Sequence, residues 1–173
     1  MVDPAFTGSC ACGRITYKCS NAPMACSACH CVTCRKLSGA AYQTFATVKA
    51  NEITYHDGKD DVTLSSLPTD SFHGIEIFRY VKSSDRAFCV DCHTPLAMRY
   101  MHAPHAHSIT LGSVDEESAK DDHVRDKLRP ERHIFVTQKV PWCEGIGSDR
   151  LVQFERFSGN FEEAIRAWEK TNA

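Results

Sequence analysis

Cys10-Ala11-Cys12, Cys29-His30-Cys31-Val32-Thr33-Cys34 and Cys89-Val90-Asp91-Cys92 gather seven of the chain's ten cysteines into three short motifs. A cysteine thiolate is both a soft metal ligand and the nucleophilic form of the residue. Zinc takes four protein ligands in a structural site, and three plus an open position in a catalytic one. The C-x-C and C-x-x-C pairs together supply four thiolates, enough to close a site. C-x-C-x-x-C supplies three and leaves one corner free. A second arrangement makes Cys26, Cys29, Cys31 and Cys34 one local four-cysteine site, and spacing leaves both arrangements open. The pairs lack compact ferredoxin-type spacing, which favours zinc over an iron–sulfur cluster.

The remaining candidates read more plainly. Cys29 and Cys31 are too close to form a disulfide without distortion. The N-terminus, "MVDPAFTGSC", has no basic segment, apolar segment or cleavage site of a secretory signal, and no run approaches the roughly 18 apolar residues of a membrane span. The expectation is a cytoplasmic chain with reduced thiols. Cys19, Cys26 and Cys143 read as buried small residues. His30 sits between two ligands and is expected to point away from their metal. His102, His105 and His107 read as a surface cluster rather than ligands. A net charge of −2 removes the electrostatic footprint of a nucleic-acid binder.

The elements that must position these cysteines are short strands. Ile15, Tyr17 and Cys19 alternate with Thr16 and Lys18, a strand with one buried face. Residues 42–50, 52–56, 62–67, 75–81, 96–100, 107–114 and 133–138 are rich in β-branched and aromatic residues, with turns such as "HDGKDD" and "LPTDS" between them. Many short strands predict an all-β core. Residues 115–132 are densely charged with both signs and read as a solvated excursion with a helical turn. In the tail, Phe161, Ala164, Ile165 and Trp168 share one face at helical spacing, with Ser158 or Asn160 as cap. The expected organisation is a zinc-binding domain over 1–157 and a C-terminal helix over 158–173 packed on it.

In order, "GSCACGRITY" (8–17), "CHCVTCRKLSGA" (29–40), "FCVDCHTPL" (88–96) and "HIFVTQKVPW" (133–142) resemble the glutathione-dependent formaldehyde-activating enzyme (Gfa) family, which includes the centromere-protein-V domain. The resemblance implies antiparallel sheets in a tent-like, Mss4-like arrangement held by zinc. It implies that Cys10, Cys12, Cys89 and Cys92 hold a structural zinc, and that Cys29, Cys31 and Cys34 hold an active-site zinc, two zinc ions in all. It implies a cytoplasmic carbon–sulfur lyase of the S-(hydroxymethyl)glutathione synthase type, joining glutathione as co-substrate to formaldehyde. Its partners would be a small-molecule thiol and aldehyde, with no nucleic acid and no membrane. His93 departs from the glycine usual after the second knuckle cysteine, but histidine is among the residues that visit the left-handed region.

Chemistry agrees with that implication. Zinc among three thiolates carries a net charge of about −1, which suits it to hold a thiol rather than to activate water. Arg35 and Lys36 follow the third ligand and are placed to meet the carboxylates of glutathione, although solvated surface explains each of them alone. Two other functions fit the same motifs: carbon–sulfur chemistry on a larger glutathione or thiol conjugate, and a non-catalytic zinc-stabilised binding or chaperone module.

Overall fold

A computed structural model describes residues 3–119, 121–143, 145 and 148–172. Among the described residues, twelve strands form two sheets. The smaller sheet orders β1 (Phe6–Ser9), β2 (Ile15–Cys19), β5 (Ile53–Asp57) and β6 (Val62–Leu64) side by side, all antiparallel. The larger sheet comprises β12 (Val152–Phe154), β11 (Arg132–Ile134), β3 (Ala25–Cys29), β4 (Gln43–Lys49), β10 (Ala106–Thr110), β9 (Pro95–Tyr100), β8 (Ser84–Cys89) and β7 (Ile75–Val81), in that spatial order. Three helices accompany them: α1 (Val32–Ser38), α2 (Asp122–Lys127) and α3 (Phe161–Thr171).

The mainly β class matches the expectation, but the large sheet is mixed rather than antiparallel. β11 runs parallel to both β3 and β12. Parallel neighbours need a crossover, and the charged stretch after β10 supplies the one to β3. It is not wholly solvated: Val124 of α2 is buried in the main core, and the Glu131 N–H donates to the Cys26 carbonyl at 3.2 Å. The strand expected over 133–138 ends at Ile134, because Phe135 takes a left-handed φ of 59° and a 3₁₀ turn follows.

Alternation along the strands gives the large sheet two different faces. One face shares the main core with the small sheet. Phe6, Ile15, Tyr17, Ile53 and Tyr55 meet Ala46, Val48, Ile75, Ala87, Leu96 and Ile109 there. The other face carries a smaller cluster of Cys29, Cys34, Phe45 and Met98, with Cys31, Tyr100, Ile134 and Phe135 packed against it. Helix α3 brings Phe161 to the same side, with ring centroids 4.8 Å from Tyr100 and 4.7 Å from His102. Asn160 does occupy the N-cap position of α3, but its side chain makes no capping bond.

β8 is invisible to periodicity. All six residues of β8 are buried, including two adjacent charges, Asp85 and Arg86. Asp85 faces the main core, where Arg99 and Arg79 each donate to it at 2.8 Å. Arg99 also donates to the Leu67 carbonyl at 3.1 Å. Removing one partner of such a pair strands a charge in the interior. Asp85→Ala is therefore expected to cost about 3–5 kcal/mol, measured as a lower denaturant midpoint at unchanged m-value. A loss below about 1 kcal/mol, the range of an exposed pair, would contradict the role assigned to Asp85.

Candidate metal centres

Two cysteine groups come together in space: Cys10, Cys12, Cys89 and Cys92, and separately Cys29, Cys31 and Cys34, each with its sulfurs within 4.8 Å of one another. None of the ten cysteines is in a disulfide. Four thiolates at the corners of a zinc tetrahedron, with Zn–S near 2.3 Å, lie about 3.8 Å apart. The Cys10–Cys12 and Cys12–Cys89 sulfur separations are 3.5 and 3.8 Å. The donor set and spacing of the first group therefore fit a closed zinc site, and those of the second fit three corners of one.

The first group is built from two turns. In the loop before β2, Gly13 takes a φ of 76° and its N–H donates to the Cys10 carbonyl, while the Ile15 N–H donates to the Cys10 sulfur at 3.2 Å. In the loop after β8, His93 adopts a φ of 56° and its N–H donates to the Cys89 carbonyl. Histidine thus occupies the left-handed position that its place in the sequence required. Thr94 ties the turns together: its Oγ1 accepts from the Ala11 N–H at 3.0 Å and lies 3.2 Å from the Cys92 sulfur. Arg14 adds a second tie, donating to Asp57 at 2.9 and 3.0 Å and to Asp91 at 3.0 Å. The Arg14 guanidinium holds the Asp57 carboxyl well below the usual carboxylate range.

The second group sits where β3 ends and α1 begins. Cys29 closes the strand. Cys31 caps the helix, its sulfur accepting from the Cys34 N–H at 3.4 Å, and Cys34 lies buried in the first turn. Gln138 accepts from the Val32 N–H at 2.9 Å, satisfying another free amide of that helix end. Gly39, at a φ of 66°, ends the helix. Hydrogen bonds from Cys29 and Cys34 pull the Cys31 thiol down, and the Arg86 guanidinium pulls the same way.

Cys26 is not part of this group. It lies three residues before Cys29 on one strand, so the two side chains leave opposite faces. Cys26 pairs in register with Ala46 of the main core, and its sulfur donates to the Lys127 carbonyl at 3.0 Å. Burial pushes its thiol up to about 12, as it does that of Cys19. The local four-cysteine arrangement is not the one the chain adopts.

Histidines and basic residues sort as follows. His30 points away from the cysteines into a buried chain, its Nε2 2.9 Å from Nδ1 of His133, whose Nε2 is 2.7 Å from Asp149. Burial, with His133 adding, lowers the His30 imidazole to about 4. His107 is buried in the main core rather than on the surface, and burial lowers it to about 4. His102 meets Phe161 edge to face and His105 is exposed, so the three do not gather. Arg35 is half-buried and donates from Nε to the His30 carbonyl at 3.3 Å, while Lys36 is exposed. Sequence reasoning missed Arg86, whose Nη2 donates to the Cys34 sulfur at 3.3 Å. The signal was the alternation running back from Cys89 through Ala87 to Asp85, obscured by two charges that read as a turn.

Two cysteine clusters on a mainly β scaffold, one with four thiols and one with three, define the class of protein. Residues 5–138 match the family model of the glutathione-dependent formaldehyde-activating enzyme, and the chain belongs to that family. No curated protein matches the chain. A Rhodobacter sphaeroides protein of known crystal structure is similar at 13% identity and a TM-score of 0.47, over 68% of this chain and 92% of that one. No helix among the described residues is long and apolar enough to cross a membrane.

The imidazole chain yields a stability prediction. His133→Ala leaves the His30 ring nitrogen unpartnered at a fully buried position, which costs about 1–3 kcal/mol. Asp149→Asn, at a half-exposed carboxylate, is expected to cost less than about 1 kcal/mol. Chemical denaturation of both variants checks the order, and a larger loss at Asp149 would reverse it.

Proposed function

We propose that the chain is a zinc-dependent carbon–sulfur lyase that makes and breaks S-(hydroxymethyl)glutathione. In this reading Cys10, Cys12, Cys89 and Cys92 hold a structural zinc. Cys29, Cys31 and Cys34 hold a second zinc and leave its fourth position to substrate. The observation that supports this most is the turning of Cys26 to the opposite face of β3, which leaves the second cluster with three thiols.

Zinc, when bound, would supply a Lewis-acid position at which a substrate thiol gives up its proton. The chain's own residues do the rest. Helix α1 fixes two of the three cysteines on one rigid turn. Arg35 and Lys36, in its last turn, are positioned to receive glutathione carboxylates. In the synthetic direction the glutathione thiolate attacks the carbonyl carbon of formaldehyde. A C–S bond forms, the carbonyl π electrons move to oxygen, and that oxygen takes a proton. In the reverse direction the hydroxyl loses its proton, C=O re-forms and the C–S bond breaks. Holding the thiolate beside the carbonyl makes the addition effectively intramolecular.

Two measurements test this. Zinc-loaded protein with glutathione and ¹³C-formaldehyde is expected to accelerate exchange between free and adduct carbon in NMR. Exchange at the uncatalysed rate would remove the formaldehyde assignment and leave carbon–sulfur chemistry on a larger conjugate. Cysteine substitutions are expected to fall into two classes. Cys89→Ser or Cys12→Ser should lose zinc and fold poorly, because metal binding there is part of the folding free energy. Cys31→Ser or Cys34→Ser should remain folded with about one zinc per chain and lose activity, while Cys26→Ser keeps both ions. Unfolding of Cys31→Ser as severe as that of Cys89→Ser would contradict the division.

A further inference from the structure

We infer that Arg86 is the built-in counter-charge of the Cys29–Cys31–Cys34 site, a positioning residue that donates to the Cys34 sulfur and would offset the net charge of a metal held by the three cysteines. The inference rests on the proposal that these three cysteines are one metal's ligands.

Arg86 is 8% exposed. A guanidinium stays charged at any ordinary pH, so burying it requires an anion nearby. The other arginine buried to the same degree has its anion: Arg99 pairs with Asp85 at 2.8 Å. Among the described residues Arg86 is paired with no carboxylate. Its sequence neighbour Asp85 cannot serve, because strand alternation sends Asp85 to the main core and Arg86 to the opposite face. On that face Arg86 meets the Cys34 sulfur at 3.3 Å, and its guanidinium lies over the Phe45 ring, 5.4 Å from the centroid.

Phe45 belongs to the same small cluster as Cys29 and Cys34. Its ring face adds a cation–π contact that fixes the guanidinium without neutralising it. The remaining negative charge has to come from sulfur. Three thiolates around one divalent ion carry a net charge of about −1; Arg86 brings the set to neutrality inside a poorly solvated cluster. Hydrogen bonding to a ligand sulfur is also how residues outside the ligand set tune a metal site.

The test uses the metal-loaded full chain with its zinc exchanged for cobalt(II), whose thiolate charge-transfer bands report both cysteine sites. Competition with a chromophoric chelator measures affinity, and the four-cysteine site, which Arg86 does not touch, is the internal control for folding. Arg86→Gln is expected to weaken cobalt binding at the three-cysteine site by roughly tenfold or more, the range for loss of a residue bonded to a metal ligand. Arg86→Lys, which keeps the charge but loses the planar fork, is expected to recover most of that affinity. Equal affinities in Arg86→Gln and the unaltered chain would overturn the inference, as would a lysine variant no better than glutamine.

If Arg86→Gln does not fold, the unaltered chain still decides. The Arg86 guanidinium N–H protons should shift and gain protection from exchange on metal loading, and no change would refute the contact. A cobalt spectrum indifferent to added glutathione would defeat the catalytic proposal but not this one.

Discussion

The two-faced character of the eight-stranded sheet is the constraint on which the rest depends. Side chains alternate along β3, β4, β8 and β9, so neighbours in sequence are delivered to different environments. Cys26 goes to the main core and Cys29 to the small cluster under α1. Asp85 goes to Arg99, and Arg86 goes to Cys34. A register slip of one residue in either β3 or β8 would exchange these assignments. The three-thiol cluster, its missing fourth cysteine and its arginine are therefore consequences of strand pairing as much as of the motif.

The two cysteine groups differ in how they are embedded. The four-cysteine group joins the loop before β2 in the small sheet to the loop after β8 in the large one. Thr94 and the Arg14 bridge between Asp57 and Asp91 stitch those loops together. Metal there would link the two sheets, which is a structural task. The three-cysteine group is local, spanning the end of β3 and the first turn of α1, and backbone hydrogen bonds already hold its framework. The Cys34 N–H is satisfied by Cys31, and the His30 N–H donates to the Ile134 carbonyl at 3.0 Å. Folding has less need of metal at this site than at the four-cysteine one.

Much of this was legible in the sequence, for identifiable reasons. Cysteine spacing named both groups, because ligands two or three residues apart need only a tight turn to converge. Local pattern located β2, by alternation, and β4, β5, β7 and β9, by their β-branched and aromatic residues. It failed for β8, where buried charges imitate a turn, and for β3, where Ala25, Cys26, Ser27, Ala28 and Cys29 are too small to announce a strand. Parallel pairing of β11 was hidden as well, because it depends on a crossover rather than on local pattern. The partner of His30 lies 103 residues away in His133, and that of Cys34 lies 52 away in Arg86. Contacts of that range have no local signature.

The central claim is that the chain holds two metal ions, one saturated by cysteine and one not. Zinc X-ray absorption on the loaded protein, combined with elemental analysis, tests it most directly. The account predicts two zinc ions per chain and an average of about 3.5 sulfur ligands per zinc at about 2.3 Å, the rest of the shell being a lighter atom. One zinc per chain, or a full four sulfurs on every zinc, would contradict it.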